Sequence, residues 1–281
     1  MTDIRIFAHG VGEIVFDGES AVLSGIDWGY PQIHRPSLVK NTLYGAQFLT
    51  PTLGAAKITL KGYFLSRSVS AGESHRLLCA IVGAGGEFTL CAGERTRKVS
   101  CESLSFCSDP GFCSGMAEKF TLVLTSATPF FEGNARTVCG VPDASGAIVF
   151  PTSLVDSTGT LSSHGTVTVD NRGDAVCGFV LKVSFPASAS SFILTSDRED
   201  GIFAIARPIS SGEVITLDTR TGRKGVTDAD GDSVLGDVDV SCRFHSVYPG
   251  QNIFRWKCTS AKAPHVELTF TEGYLTGEVG A

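Results

Sequence analysis

Between Lys119 and Gly133 a strand pattern runs into a forced stop, and this stretch constrains the chain more than any other. Phe120, Leu122 and Leu124 alternate with Thr121, Val123 and Thr125, the period of two that turns one face of a strand into a core. Pro129 has no ladder donor and fixes its own φ, so the strand cannot continue through it. Phe130, Phe131 and Gly133 follow at once. The pattern predicts the last strand of one β-rich domain, residues 1–134, handing over to a second, residues 135–281. A chain of 281 residues gives each domain enough length to bury a core.

Short runs with the same signature fill the first domain. Ile4 and Ile6 share one face of a first strand. Ile14-Val15-Phe16 leads into Asp17-Gly18 and then Ala21-Val22-Leu23, which predicts a hairpin. Residues 25–51 are interrupted by Gly29, Pro31, Pro36 and Gly45 and predict a long irregular, functional loop. Ile58 and Leu60 then alternate with lysines. One helix breaks the series: Ser70 and Glu73 stand at capping-box spacing, Leu77, Leu78, Ile81 and Val82 form one apolar face, and Gly83 predicts the stop. Because Gly83, Gly85 and Gly86 follow the helix, they predict a linker turn, whereas a phosphate cradle places its glycines ahead of a helix.

Past Gly133 the composition turns to Gly, Ser, Thr, Pro and Asp as far as about His164, with one apolar island at Ile148-Val149-Phe150. A linker and an edge strand are expected there. Cys177, Phe179, Leu181, Val183 and Phe185 then give the longest alternation in the chain. Ile202–Ile205, Val214–Leu217 and Val238–Val240 predict further strands. Tyr248-Pro249-Gly250-Gln251 has the residue order of a type II turn, and it feeds Phe254, Trp256 and Cys258 on one face. Val266, Leu268 and Phe270 close the set. The fold class expected is all-β with one helix in the N-terminal domain, arranged as two β-sandwich or barrel-like domains.

Composition removes several function classes. Hydrophobic residues make up 42% and charged residues 19%, which excludes a disordered chain. Apolar runs fall short of the roughly 18 residues a membrane span needs, so no membrane insertion is expected. Met1-Thr2-Asp3-Ile4-Arg5-Ile6 lacks a basic then apolar leader, so no signal peptide is expected. A net charge of −6 argues against nucleic acid as a tight partner. The nine cysteines are odd in number and contain no C-x-x-C pair, which points to free thiols and to neither a disulfide framework nor structural zinc.

No catalytic, cofactor-binding or metal site is expected. The chain has no H-E-x-x-H, G-x-S-x-G or P-loop motif, and its six histidines lack ligand spacing. Asp228-Ala229-Asp230-Gly231-Asp232 departs from a calcium loop, since Gly231 precedes the third acid, and predicts a polar hairpin turn. Arg172-Gly173-Asp174 predicts a turn between two strands.

In order and spacing these pieces resemble the siphophage distal tail proteins, a phage tail component family. In the first domain the resemblance runs through the strand Ile58 to Tyr63, the helix ending Leu77-Leu78-Cys79-Ala80-Ile81-Val82-Gly83, Phe88-Thr89-Leu90, and Phe120–Leu124 ending in Thr128-Pro129-Phe130-Phe131. In the second it runs through Val169-Asp170-Asn171-Arg172-Gly173-Asp174-Ala175, Ile215-Thr216-Leu217-Asp218-Thr219 with Gly222, and Tyr248-Pro249-Gly250-Gln251-Asn252. Asn171–Asp174 is similar to the family's Asn-x-Gly-Asp turn, and Pro249–Asn252 to its Pro-Gly-x-Asn turn. Residues 25–51 and the richness in cysteine depart from the family pattern.

The resemblance implies a structural, non-enzymatic protein of the virion tail tip, in an intact phage or a prophage particle, made in the bacterial cytoplasm. It implies an N-terminal domain that closes a hexameric ring, or baseplate hub, and a galectin-like C-terminal sandwich. Its implied partners are further copies of the chain, the tail tube protein, the tail-tip or tail-associated protein and the receptor-binding protein. DNA would cross the lumen without specific binding, and an acidic wall would repel it. The alternative function is a carbohydrate-binding module contacting host surface glycans, with Trp256 as the stacking platform.

Overall fold

The structure is a computed structural model, and it describes residues 3–34, 37–39, 46–48, 52–66, 70–107, 117–142, 162–205, 207–260 and 262–277. The apolar island at Ile148-Val149-Phe150 and Cys113 lie outside the described residues. The chain divides into two units: Met1–Gly133 with Tyr274–Ala281, and Asn134–Gly273. The sequence predicts two consecutive segments, but the chain's last residues belong to the first unit. There the Arg95 guanidinium lies 3.7 Å over the Tyr274 ring and donates to the Thr276 carbonyl at 3.0 Å.

All strand pairings in the first unit are antiparallel. One run of neighbours is Gly12–Phe16, Ile4–Ala8, Phe88–Ala92 and Arg95–Cys107. The other is Arg95–Cys107, Ala117–Ser126, Ala56–Leu65 and Ala21–Asp27. Arg95–Cys107 is long enough to serve both. Its first half pairs with Phe88–Ala92, its second half pairs with Ala117–Ser126, and a bulge at Cys101/Ser103 follows the changeover. The core lies between the two runs. Ile4, Ile6, Phe16 and Leu90 come from one and Ile58, Leu60, Phe64, Phe120, Leu122 and Leu124 from the other, all buried. Phe120 stacks on Phe64 at 4.8 Å and approaches Phe16 at 5.9 Å. Truncating such a ring to alanine costs about 3–5 kcal/mol.

The hairpin expected across Asp17-Gly18 is instead a crossing between the two runs. Gly12–Phe16 pairs with Ile4–Ala8, and Ala21–Asp27 pairs with Ala56–Leu65. Asp17 holds the turn by accepting from the backbone N–H groups of Glu19, Ser20 and Ala21, and Gly18 takes φ +80°. Within the expected irregular loop at residues 25–51, Ser37–Val39 pairs antiparallel with Ala46–Phe48, and Ile33–His34 pairs antiparallel with Thr52–Leu53 just beyond it.

Helix α1, Ala71–Gly83, is the one α-helix among the described residues. Its capping box is formed as the sequence predicts, with the Ser70 side chain accepting from Glu73 N and the Glu73 carboxylate accepting from Ser70 N. Leu78 and Ile81 are buried while Leu77 and Val82 are half-buried. The predicted stop moves by one residue. Gly83 remains helical, Ala84 caps, and Gly85 takes the left-handed φ of +70°.

After Pro129 a new strand, Phe131–Cys139, runs where a polar linker is expected. Beside its start lies Arg97, which is 2% exposed. The Arg97 Nε donates to the Thr128 carbonyl at 3.1 Å, and its guanidinium lies 5.1 Å from the Phe131 ring centre. Burial pulls the Arg97 pKa down to about 10.

The second unit is a sandwich of two antiparallel sheets. One runs Gly225–Thr227, Val214–Asp218, Phe179–Ser184, His265–Tyr274, then residues 134–139 of the strand Phe131–Cys139. The other runs Val141–Pro142, Ser162–Asn171, Gly250–Ser260, Ala189–Ser196 and Ile202–Ile205. Their inner faces alternate in register: Phe179, Leu181 and Val183 oppose Phe270, Leu268 and Val266, and Phe179 meets Phe254 of the other sheet at 5.1 Å. The strand predicted at Val238–Val240 does not form. Asp239 closes a turn on Ser241 there (N–H to Oδ1, 2.8 Å), and Val240 is fully exposed. The fold is thus all-β with a single α-helix among the described residues, as the sequence predicts.

Candidate functional site in the second unit

The residues that single out this unit are polar and largely buried, and two of them, Asn171 and Asn252, hold turns. Asn171 ends its strand and is 1% exposed. Its Oδ1 accepts from Gly173 N at 2.9 Å, and its Nδ2 donates to the Ala175 carbonyl at 3.0 Å. Gly173 is required by space: a Cβ there would lie 2.5 Å from the Gly273 carbonyl oxygen. Asp174 and Ala175 both donate backbone N–H groups to that same carbonyl. Arg172-Gly173-Asp174 is therefore spent on the turn.

Asn252 is fully buried and closes the Tyr248–Gly250 turn by itself. It accepts from Tyr248 N at 2.8 Å and donates to the carbonyls of Tyr248 at 2.7 Å and Gly250 at 2.8 Å. Gly250 has φ +85°, as the third position of a type II turn requires. Thr219 is also buried, but it ties two strands together, its Oγ1 accepting from Phe179 N at 2.8 Å. Beside it, burial pushes the Asp218 carboxyl up, but hydrogen bonds from the Arg220 side chain and backbone outweigh that, and the net shift is down.

Two acids complete the set, and sequence reasoning singled out neither. Glu272 is 6% exposed and accepts from Arg136 Nη1 at 2.7 Å and from Arg172 N at 3.2 Å. Its signal was parity, since it extends the inward series Val266, Leu268, Phe270. Glu199 lines a shallow groove with Asp200, Lys224, Arg243, Phe244 and Tyr248. It accepts from the Tyr248 hydroxyl at 2.9 Å and Ser246 N at 3.0 Å, and it faces His245 Nδ1 at 3.3 Å. That bond pushes the Tyr248 phenol up, so it stays protonated. No local pattern marks Glu199 in the sequence, because its partners follow more than forty residues later.

Trp256, the predicted sugar platform, is 2% exposed. A Cβ on Gly165 would stand 2.2 Å from its ring, so the backbone of the neighbouring strand covers it. Its ring belongs to the core and offers no face to a pyranose. Asp228–Asp232 is the polar turn the sequence predicts, with Asp228 Oδ1 accepting from the N–H groups of Asp230 and Asp232. Cys177 and Cys258 are free thiols whose pKa values burial pushes up to about 11, which holds both as neutral core residues.

Residues 172–274, the span that begins inside the Asn171 turn and contains the other turn anchors, match the family described as siphovirus-type tail component, C-terminal domain. That span is similar to a siphovirus-type tail component domain. Of solved structures, that of the Dit (gp 19.1) protein of phage SPP1 is similar with a TM-score of 0.64 at 13% identity, over 98% of this chain and 100% of that one. The likeness shows a shared fold across both units, beyond the span of the tail-component domain. A chain of the phage P2 baseplate in its activated conformation with Ca aligns over 98% of this chain and 99% of its own, at 10% identity and a TM-score of 0.44. No curated protein sequence matches.

Proposed function

We propose that the chain is a subunit of a tail-tip hub: copies close into a ring, six by the family resemblance, that joins the tail tube to the tip and receptor-binding apparatus. The observation that carries this reading is the match to the tail-component domain at residues 172–274 inside a fold shared end to end with the SPP1 Dit protein, a paradigm of hub adsorption apparatus. The first unit forms the ring.

The surfaces support the role. Among the described residues Gly12–Phe16 pairs only with Ile4–Ala8, so its outer edge has backbone donors and acceptors to offer a neighbour. Phe7, Val11 and Val15, each about 40% exposed, lie on this hairpin. Rigid sheets with such edges suit repeated contacts between copies. The role is structural, without turnover, and the net charge of −6 suits a lumen that DNA crosses without sticking.

Light scattering on the purified chain measures the mass, and negative-stain images show the shape. A ring-shaped oligomer is expected, and Val15→Lys is expected to shift it toward monomer. A protein that stays monomeric at every concentration, alone and with tail tube protein, would sink the ring.

A further inference from the structure

On the outer face of the second unit, three side chains of different chemistry converge from two neighbouring strands. Cys139, His265 and Glu267 place a thiol, an imidazole nitrogen and a carboxylate oxygen within 4.8 Å of one another. The strand ladder fixes the meeting. Thr137 and Thr269 touch through their hydroxyls at 2.9 Å, and Gly140 N donates to the Val266 carbonyl at 2.7 Å. In an antiparallel pair, two residues forward on one strand face two residues back on the other. Cys139 therefore faces Glu267, and His265 shares that face because it is two residues from Glu267. The intervening Val266 is fully buried while Cys139 and His265 are exposed. His265 Nε2 already meets Glu267 Oε1 at 3.0 Å.

We propose that Cys139, His265 and Glu267 bind one Zn2+ ion per chain, with water in the fourth position. Bonds of about 2.0–2.3 Å in a tetrahedron need donor atoms roughly 3.3–3.8 Å apart. The spacing present is within reach of small side-chain rotations, and two of the three groups are exposed and free to make them. Sulfur and imidazole donors select zinc over calcium or magnesium, which take oxygen ligands. Thiolate and carboxylate together offset the ion's charge. Lys182 lies opposite Glu267 in the ladder and Ser184 opposite His265. The exposed Lys182 ammonium opposes the ion but can swing into solvent. Bound zinc would tie Cys139, at the end of its strand, to the start of His265–Tyr274.

Cobalt(II) reports on such a site because a thiolate ligand gives a charge-transfer band and four-coordination gives intense d–d bands. The full chain, reduced and stripped with chelator, is titrated with Co2+ and then with Zn2+. One equivalent of Co2+ is expected to develop the thiolate band and one equivalent of Zn2+ to remove it. Cys139→Ser and His265→Ala are each expected to lose the band. Cys107→Ser, at another exposed cysteine, is expected to keep it. The ligands are on the surface, so metal-free variants should melt with the parent chain, and a melt confirms that they are folded. Absence of the band in the parent chain, its survival in Cys139→Ser or His265→Ala, or its loss in Cys107→Ser overturns the site.

Discussion

The two units bury polar groups in different ways, and the family match coincides with one of them. In the first unit the largest buried polar side chain is Arg97, a charge whose Nε reaches one backbone carbonyl while its Nη1 has no hydrogen-bond partner. In the second, Asn171 and Asn252 are buried amides that each satisfy backbone groups of a specific turn, and buried Thr219 ties two strands together. An amide that accepts and donates within four residues can serve only one backbone path. Alternating apolar residues serve any strand. The family match falls on the unit whose turns are written in such side chains and not on the one held by alternation and rings.

Because Trp28 and Trp256 are the two tryptophans and lie in different units, single-tryptophan variants read each unit separately. The largest effect is expected for Asn252→Ala in a Trp28→Phe background. It strands one N–H and leaves two carbonyls short of a donor, and should cost the second unit about 2–3 kcal/mol in urea unfolding followed by Trp256. A cost below about 1 kcal/mol would break the contrast between the units. Next comes Ser70→Ala, which removes the N-cap of α1 and should cost the first unit about 1 kcal/mol, read by Trp28 in a Trp256→Phe background.

A smaller effect is expected from pH. In the second unit Arg207 pairs with both Glu213 and Asp237. The hydrogen bond from Arg207 is the main cause holding the Glu213 carboxyl below its ordinary value near 4.5. A carboxyl depressed in the folded state adds stability above that value and loses it as pH falls through the folded pKa. Acidification from pH 5 should therefore weaken the second unit, and Arg207→Gln should remove about 0.5–1 kcal/mol of that dependence. An acid melt unchanged by Arg207→Gln would show that the pair contributes nothing.

The smallest effect is expected where a charge looks most committed. Arg97→Met should leave the first unit within about 1 kcal/mol of the parent, because an apolar side chain of similar length avoids burying an unpaired charge. The one hydrogen of the Ser126 hydroxyl, 2.7 Å from the Lys98 carbonyl, can turn to the Thr128 carbonyl at 3.0 Å. A loss of 3 kcal/mol or more would make Arg97 the anchor of the Phe131 strand, comparable with Asn252 in its own unit.

What the sequence by itself determined was local. The strands at Ile58, Phe120, Phe179, Phe254 and Val266, the Ser70 cap, and the turns at Asn171 and Pro249 all follow from period, cap chemistry and φ preference acting within a few residues. Glu272 also sits on the inward parity of its strand, a local signal that the sequence reading does not use.

Tertiary structure decided everything that depends on which strand lies beside which. Asp17-Gly18 carries the chain between two strand runs because Ala21–Asp27 finds its partner in Ala56–Leu65. Trp256 is a core ring because Gly165 brings a backbone against it. Cys139 meets His265 and Glu267 only through the ladder. Strand pairing joins residues across any separation along the chain, so no local pattern records it.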